Sequence, residues 1–265
     1  MKPGSLCLSH DNKCLFVTDR ENHVKVLNRA DGTLIQKIGN GHGRGPGCFL
    51  EPVGVCISPD GSELYVADRY NNRINVFNPI DGSYVCRLVG KRLVGKRPIF
   101  LEQPKGICIS ADGELLYVAD NNGVQVLRAG NSDHIRTINV DDPLGLCLSH
   151  DNELLFVIMS RGDIVVFRTL DDSIFARFDR VLHRLDYSRY FADICLSPNG
   201  KALYVIDGNY DRVRVLRTKD GSLIQTIGEY GQTAGKFTYG PGGICVSPDG
   251  EMFVTDNNHI QVFQM

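Results

Sequence analysis

The chain has 265 residues and a formal net charge of −2, with 23% charged and 42% hydrophobic residues. This composition is that of an ordinary globular protein. No run approaches the ~18 consecutive apolar residues that a membrane span needs, so no membrane partner is expected. The N-terminus MKPGSLCLSH lacks the apolar core of a secretory signal, and nine cysteines, an odd number in a long chain, do not suggest a disulfide scaffold. We expect a reduced, intracellular protein of the cytoplasm.

A short segment recurs six times along the chain. Each copy begins with a continuous apolar run that contains an anchor cysteine: Cys7, Cys56, Cys108, Cys147, Cys195 and Cys245. A turn such as SPDG or SHDN follows, then a strand with one aromatic residue, then a strand such as RINVF, and after a second turn a fourth such as TLIQKIG. Asp-Gly and Asn-Gly turns between alternating strands are hairpin signals. Four antiparallel strands in units of roughly 40 to 50 residues predict β-propeller blades.

Six units predict an all-β fold, a six-bladed β-propeller of four-stranded antiparallel blades, in one domain over residues 1–265. The sequence stops at IQVFQM, a third strand. The last blade is therefore predicted to lack its outer strand, and the chain is interpreted as a fragment of a longer protein. Facing sheets lie about 10 Å apart, whereas a disulfide needs Cα atoms within ~7 Å. The anchor cysteines are therefore expected to pack between blades as free thiols.

The chain resembles a known family at this point. The segment GVCISPDGSELYVADRYNNRINVFN, preceded by GHGRGPGCFLEP, is similar to an NHL repeat with its Gly-rich lead-in, and GEYGQTAGKFTYGPGGICVSPDGEMFVTDNNHIQVF is similar again. The resemblance extends over essentially the whole chain. It implies a six-bladed propeller used chiefly as a binding platform for proteins or RNA, often appended to other domains. A related group of six-bladed propellers contains enzymes, including lactonases and an amidating lyase.

Propeller enzymes usually hold a metal at the mouth of the central channel. Of the residues just before the anchor cysteines, which would line that channel, only Asp193 is a carboxylate, so neither a zinc nor a calcium site can be assembled there. No spacing supports a site at His23, His42 and His259. An Asp usually ends the second strand and fits a turn that accepts backbone hydrogen bonds: Asp19, Asp68, Asp120, Asp207 and Asp256. We expect no catalytic residue, no metal and no cofactor.

Three segments on the top face, where second strands turn into third strands and blades are joined, are candidate contacts. The loop 179–193, DRVLHRLDYSRYFAD, stands where a Gly-rich connection is expected, and its apolar residues suggest a short helix. Its candidate residues are Arg180, His183, Arg184, Tyr187, Arg189 and Tyr190. The loop KRLVGKRP contributes Lys91, Arg92, Lys96 and Arg97. The turn after Asp68 contributes Arg69, Tyr70 and Arg73.

Tyr and Arg are frequent anchors of protein interfaces, and interleaved basic and aromatic side chains can also stack bases and contact phosphates. The top-face loops carry nearly balanced charge, which gives little general attraction for phosphates. We therefore predict a non-catalytic binding scaffold that engages a protein partner through its top-face loops. Single-stranded RNA binding through the basic and aromatic patch is the alternative, and a lactonase-like hydrolase or lyase is the third. DNA is not expected as a partner.

Overall fold

In a computed structural model, the described residues are 3–19, 21–89, 92–94, 97–99, 101–131, 133–182, 192–238, 240–257 and 259–264. Only the backbone is described for Pro3 and for residues 92–94 and 97–99. The chain divides into two compact units, one of residues 6–143 and one of residues 144–265 with residues 1–5. Throughout the described residues, no helix is both long and apolar enough to cross a membrane.

The unit of residues 6–143 contains three four-stranded antiparallel sheets, blades 1 to 3 in chain order. Blade 1 is formed by β1 (Pro3–Leu8, within this unit from Leu6), β2 (Cys14–Asp19), β3 (His23–Asn28) and β4 (Leu34–Ile38). Blade 2 is formed by β5 (Pro52–Ile57), β6 (Leu64–Asp68), β7 (Arg73–Phe77) and β8 (Tyr84–Leu88), with a 3-10 turn at Arg69–Asn71. Strands β9 (Arg92–Val94) and β10 (Arg97–Ile99) pair with each other. Blade 3 is formed by β11 (Ile107–Ile109), β12 (Leu115–Asp120), β13 (Gly123–Arg128) and β14 (His134–Ile138).

The unit of residues 144–265 contains blades 4 to 6. Blade 4 is formed by β15 (Pro143–Leu148, within this unit from Leu144), β16 (Leu154–Met159), β17 (Ile164–Arg168) and β18 (Ile174–Phe178). Blade 5 is formed by β19 (Ile194–Leu196), β20 (Ala202–Asp207), β21 (Arg212–Arg217) and β22 (Leu223–Ile227), with a 3-10 turn at Gly208–Tyr210. Blade 6 has three strands, β23 (Ile244–Val246), β24 (Glu251–Asp256) and β25 (His259–Gln264).

The six sheets give an all-β, six-bladed propeller, which confirms the predicted fold class and the missing outer strand of the last blade. Each blade repeats one register, because the aromatic residue of its second strand lies opposite a valine of its third. Two examples are Tyr65 opposite Val76 and Phe253 opposite Val262. The turn between the first two strands is also repeated. In blade 2 the Ser58 hydroxyl donates to Asp60 and accepts from the backbone N–H of Glu63, which fixes the hairpin.

Apolar side chains of neighbouring blades form the core within each unit. Phe16, Val26, Val66 and Phe77 belong to one buried cluster of residues 6–143. Residues 144–265 contain two clusters, one around blades 4 and 5 and one around blades 5 and 6. All nine cysteines are free, and Cys147 and Cys195 pack against these clusters as small hydrophobic side chains. The prediction of free thiols is therefore confirmed.

Candidate partner-binding surface

The Asp that ends a second strand fastens the loop that leads into its blade. These carboxylates are buried, and each of three accepts a hydrogen bond from a backbone N–H that lies 18 residues earlier. The donors are Leu50 to Asp68 at 2.7 Å, Glu102 to Asp120 at 3.0 Å, and Thr238 to Asp256 at 3.1 Å. The predicted turn bonds are also present, such as the N–H of Asn122 to Asp120. Because each Asp bridges two segments, it holds the lead-in loop against the top of the blade.

Blade 2 adds a cation to this arrangement. Arg73 Nε lies 2.8 Å from Asp68 Oδ2, and the Arg73 guanidinium donates to the carbonyl oxygens of Arg44, Gly45 and Cys48 at 3.0, 2.9 and 2.6 Å. Arg73 is 3% exposed. The prediction that Arg73 is a contact residue is therefore corrected, because its guanidinium is buried and donates to the carbonyl oxygens of the Gly-rich lead-in loop. Burial raises the pKa of Asp68 above its usual value, although hydrogen bonds from Leu50 and Asn71 and the cation of Arg73 oppose this.

The turn after Asp68 presents an aromatic ring on a fixed backbone. Tyr70 is 53% exposed, and the Arg69 guanidinium lies 5.1 Å from the centre of its ring, which is a cation–π distance. Arg69 Nη1 also lies 3.4 Å from Glu51 Oε2. Asn71, which follows Tyr70, donates its side-chain N–H groups to Asp68 Oδ2 at 2.8 Å and to the carbonyl oxygen of Gly43 at 2.9 Å. The turn is therefore tied both to the blade and to the lead-in loop.

The lead-in loop adds two exposed side chains, His42 and Arg44. The Arg44 carbonyl is held by Arg73, so the backbone that carries its side chain is fixed. Its guanidinium has no ion-pair partner in the part of the chain that the structure describes. We call His42, Arg44, Arg69 and Tyr70 the blade-2 surface. Arg44 was not predicted from the sequence, in which its only signal is a single basic residue in a glycine-rich loop.

The other two predicted segments are described only in part. Arg180 is exposed in a left-handed conformation (φ 53°), and its N–H donates to Asp163 Oδ1 at 2.7 Å. Val181 and Leu182 are buried in the core of residues 144–265, and residues 179–182 form turns and bends. Most of the loop for which a short helix was predicted lies outside the described residues. The remaining candidates lie outside the described residues or have undescribed side chains: His183, Arg184, Tyr187, Arg189, Tyr190, Lys91, Arg92, Lys96 and Arg97.

Among the described residues, no group of three or more His, Cys, Asp or Glu side chains could hold a metal ion. Asp193, the carboxylate before an anchor cysteine, instead accepts from the Ser5 hydroxyl at 2.9 Å and from its neighbour's N–H at 3.0 Å. Burial raises the pKa of Asp193 to about 6. Its contacts are those of a structural carboxylate that joins two innermost strands.

A family model described as NHL repeat matches residues 49–77. The chain is similar to NHL repeat-containing protein 2 of Homo sapiens, with 32% identity over 146 residues, and of Bos taurus, with 30% over 149 residues. Both matches cover 47% of this chain and 20% of the relative, so the chain spans about a fifth of these relatives' length.

Two solved structures show the same fold. A chain of Kuenenia stuttgartiensis hydrazine synthase superimposes with a TM-score of 0.68 at 17% identity, over 100% of this chain and 77% of that one. The β-propeller domain of Myceliophteria thermophila Cps50 (Swd1) superimposes with a TM-score of 0.66 at 13% identity, over 98% and 96%. At such identities the likeness concerns the fold alone. Residues 49–77 are therefore similar to an NHL repeat and lie within a six-bladed β-propeller, the fold that the sequence predicted.

Proposed function

We propose that the chain is a non-catalytic binding scaffold that engages a protein partner through the blade-2 surface. The observation that carries this proposal is the half-exposed Tyr70 ring with Arg69 stacked against it. The ring stands on a turn that Asp68 and Asn71 hold in place. An anchor that is already fixed loses little conformational entropy on binding. Tyrosine and arginine are also the residue types that most often carry the binding energy of interfaces.

The charges of the blade-2 surface indicate the chemistry of the partner. Arg44 adds an exposed cation, whereas the charge of Arg69 is partly met by Glu51. A matching partner surface would offer a carboxylate to Arg44 and an apolar recess to the Tyr70 ring. The nine free cysteines support a reduced compartment such as the cytoplasm for this interaction.

The proposal is tested with a photo-reactive benzoylphenylalanine placed at position 70. The matched control places the same group at Ile80, which is 84% exposed in the turn between the third and fourth strands of the same blade. A protein that is cross-linked from position 70 and not from position 80 is then purified, and its Kd is measured with four chains: wild type, Tyr70→Ala, Arg44→Glu and Ile80→Ala. We expect Tyr70→Ala to weaken binding about 30-fold, as for an interface hot spot, and Ile80→Ala to leave the Kd unchanged. Equal Kd values for all four chains would contradict the proposal.

RNA is tested in a parallel measurement. Fluorescence anisotropy of a randomised single-stranded RNA pool is recorded at low and at physiological salt with wild type, Arg44→Glu and Arg180→Glu. Phosphate contacts give binding that falls steeply with salt concentration. Binding of that kind, lost in either charge-reversed variant, would make RNA the partner in place of a protein. We expect no such binding.

A further inference from the structure

The lead-in loop of blade 2 has two successive carbonyl groups turned towards the blade. Asn71 donates to the carbonyl oxygen of Gly43 at 2.9 Å, and Arg73 donates to that of Arg44 at 3.0 Å. The Asn71 and Arg73 side chains also both donate to Asp68 Oδ2, each at 2.8 Å. Because the two donors share this one oxygen atom, they reach the loop from the same side.

The N–H groups of the same two peptide units point the other way. In a trans peptide unit the C=O and the N–H have opposite directions, and the described residues contain no cis peptide bond. The carbonyl of Gly43 shares its peptide unit with the N–H of Arg44, and the carbonyl of Arg44 with the N–H of Gly45. Both N–H groups therefore point away from the blade, at a part of the loop where Arg44, Gly45 and Pro46 are exposed. Neither N–H donates a hydrogen bond to another described residue.

The side chains of the loop suit an anion at these two N–H groups. Successive backbone N–H groups that point to one side form anion-binding sites. The Arg44 guanidinium adds a cation with a planar fork of donors, and Gly45 has no side chain to hinder a close approach to the backbone. Residues 39–48, GNGHGRGPGC, include no Asp or Glu that would compete for the donors. The strand β5 follows the loop instead of a helix, and no Lys-Ser/Thr pair is present, so this is not a nucleotide-binding loop.

Blade 6 contains the same loop without the arginine. In both loops the N–H of a glycine donates at 2.9 Å to the carbonyl oxygen of the phenylalanine six residues later: Gly43 to Phe49, and Gly231 to Phe237. This match places Gln232 at the position of Arg44. The strand register likewise places His259 at the position of Arg73. The loop of blade 6 therefore has neither arginine at these positions and is an internal control.

We propose that the N–H groups of Arg44 and Gly45 and the Arg44 guanidinium together bind a carboxylate group. Two adjacent N–H groups can each donate to one oxygen of the same carboxylate, and hydrogen bonds to a charged group are stronger than those between neutral groups. The source of the carboxylate rests on the proposed function: it is an Asp or Glu side chain of the protein partner that Tyr70 anchors. A carboxylate held in this way fixes the orientation of the partner on the blade-2 surface.

The test is an NMR titration of the isotope-labelled full chain, followed through its backbone amide signals. The probes are N-acetylaspartate amide, its neutral asparagine analogue and N-acetyl-O-phosphoserine amide, all at constant ionic strength. We expect the aspartate probe to move the amide proton signals of Arg44 and Gly45 downfield until they saturate, because an N–H that donates to an anion is deshielded. The asparagine probe should not move them. The amide signals of Gln232 and Thr233, in the equivalent loop of blade 6, should not respond to any probe.

Two matched variants separate the side chain from the backbone. Arg44→Gln introduces the residue that blade 6 has at this position, and it should raise the Kd of the aspartate probe about tenfold, since one charge-assisted interaction is lost. The same two amide signals should still move at higher probe concentration. Arg87→Gln removes an exposed arginine from the outer strand β8 of the same blade and should leave the Kd unchanged.

The outcomes that overturn the site differ from those that overturn the proposed function. Amide signals of Arg44 and Gly45 that stay in place, or that move equally with the aspartate and asparagine probes, would exclude the carboxylate site even if a protein were captured at position 70. A phosphoserine probe that binds about tenfold more tightly than the aspartate probe would replace the carboxylate with a phosphate. A response of both amides without a captured protein would support the site and contradict the proposed partner.

Discussion

Asp68 and Arg73 form a buried ion pair beneath the lead-in loop of blade 2, with Oδ2 2.8 Å from Nε and both side chains at most 4% exposed. Arg73 also satisfies three loop carbonyls, and Asp68 accepts from the N–H of Leu50. The pair therefore links the second strand, the third strand and the loop that carries Arg44.

Arg73→Ala is expected to lower the free energy of unfolding by about 3–5 kcal/mol, because it leaves the Asp68 carboxylate buried and unpaired. The measurement is urea denaturation followed by circular dichroism. The control is Arg128→Ala, which breaks the ion pair with Glu114 at 3.3 Å between side chains that are more than half exposed. Such a pair contributes about 0–1 kcal/mol. If the two variants were equally stable, the buried network would not be what fastens the loop.

Gly39→Ala should also destabilise the start of this lead-in. Gly39 has a φ of +102°, and an added Cβ would overlap the ring of the fully buried Phe49. The strained backbone and the steric overlap together should cost about 2 kcal/mol or more. Gly130→Ala is the control, because a Cβ there meets no atom within 4 Å; its free energy of unfolding should stay within about 0.5 kcal/mol of wild type. A neutral Gly39→Ala would show that Phe49 can move.

The anchor cysteines should resist alkylation in the folded chain. Burial raises the pKa of the Cys56, Cys147 and Cys195 thiols well above the usual value, and the thiolate is the reactive form. Iodoacetamide at pH 8, followed by peptide mass spectrometry, should therefore leave these three unmodified until urea unfolds the chain. Because all nine cysteines are free, reducing agent should not change the unfolding midpoint. Rapid labelling of Cys147 in the native state would contradict this packing.

The fold could be predicted from sequence because its determinants are local and repeated. Each Asp-Gly or Asp-Asn turn sets a hairpin, and six copies in one register leave few alternatives to a propeller. The repeats therefore predicted the positions of the anchor cysteines, the aromatic residue of each second strand and the missing outer strand of the sixth blade.

The candidate surface was less predictable because it depends on contacts between distant segments. Arg73 follows an exposed turn in sequence, and only the lead-in loop folded over it shows that its guanidinium is buried. Asp68 was predicted to be a turn residue, whereas its Oδ1 also accepts a hydrogen bond from the N–H of Leu50, 18 residues earlier. Arg44 showed no pattern at all, since one basic residue among glycines gives no periodicity. Spacing along the chain identified the strands but not which side chains the loops would cover.

The stability of the chain should depend on pH through Asp193. Burial raises the pKa of Asp193 to about 6, whereas an Asp in an unfolded chain titrates near about 3.9. Between these values the folded chain keeps a proton that the unfolded chain has released, so the free energy of unfolding falls as the pH rises. The contribution of Asp193 is therefore complete below about pH 4 and is lost as the pH rises through about 6.

Asp193→Asn removes this titration. We expect the stability of the variant relative to wild type to increase between about pH 4 and pH 6 and to stay level above that range, as measured by urea denaturation across pH. The control is Asp60→Asn. The Ser58 hydroxyl lowers the pKa of the exposed Asp60 to about 2, so the titration of Asp60 affects the free energy of unfolding only in more acidic solutions. If the free energies of unfolding of Asp193→Asn and wild type differed by a constant amount across this pH range, Asp193 would titrate alike in the folded and the unfolded chain. Its bonds to Ser5 and Ile194 would then offset its burial.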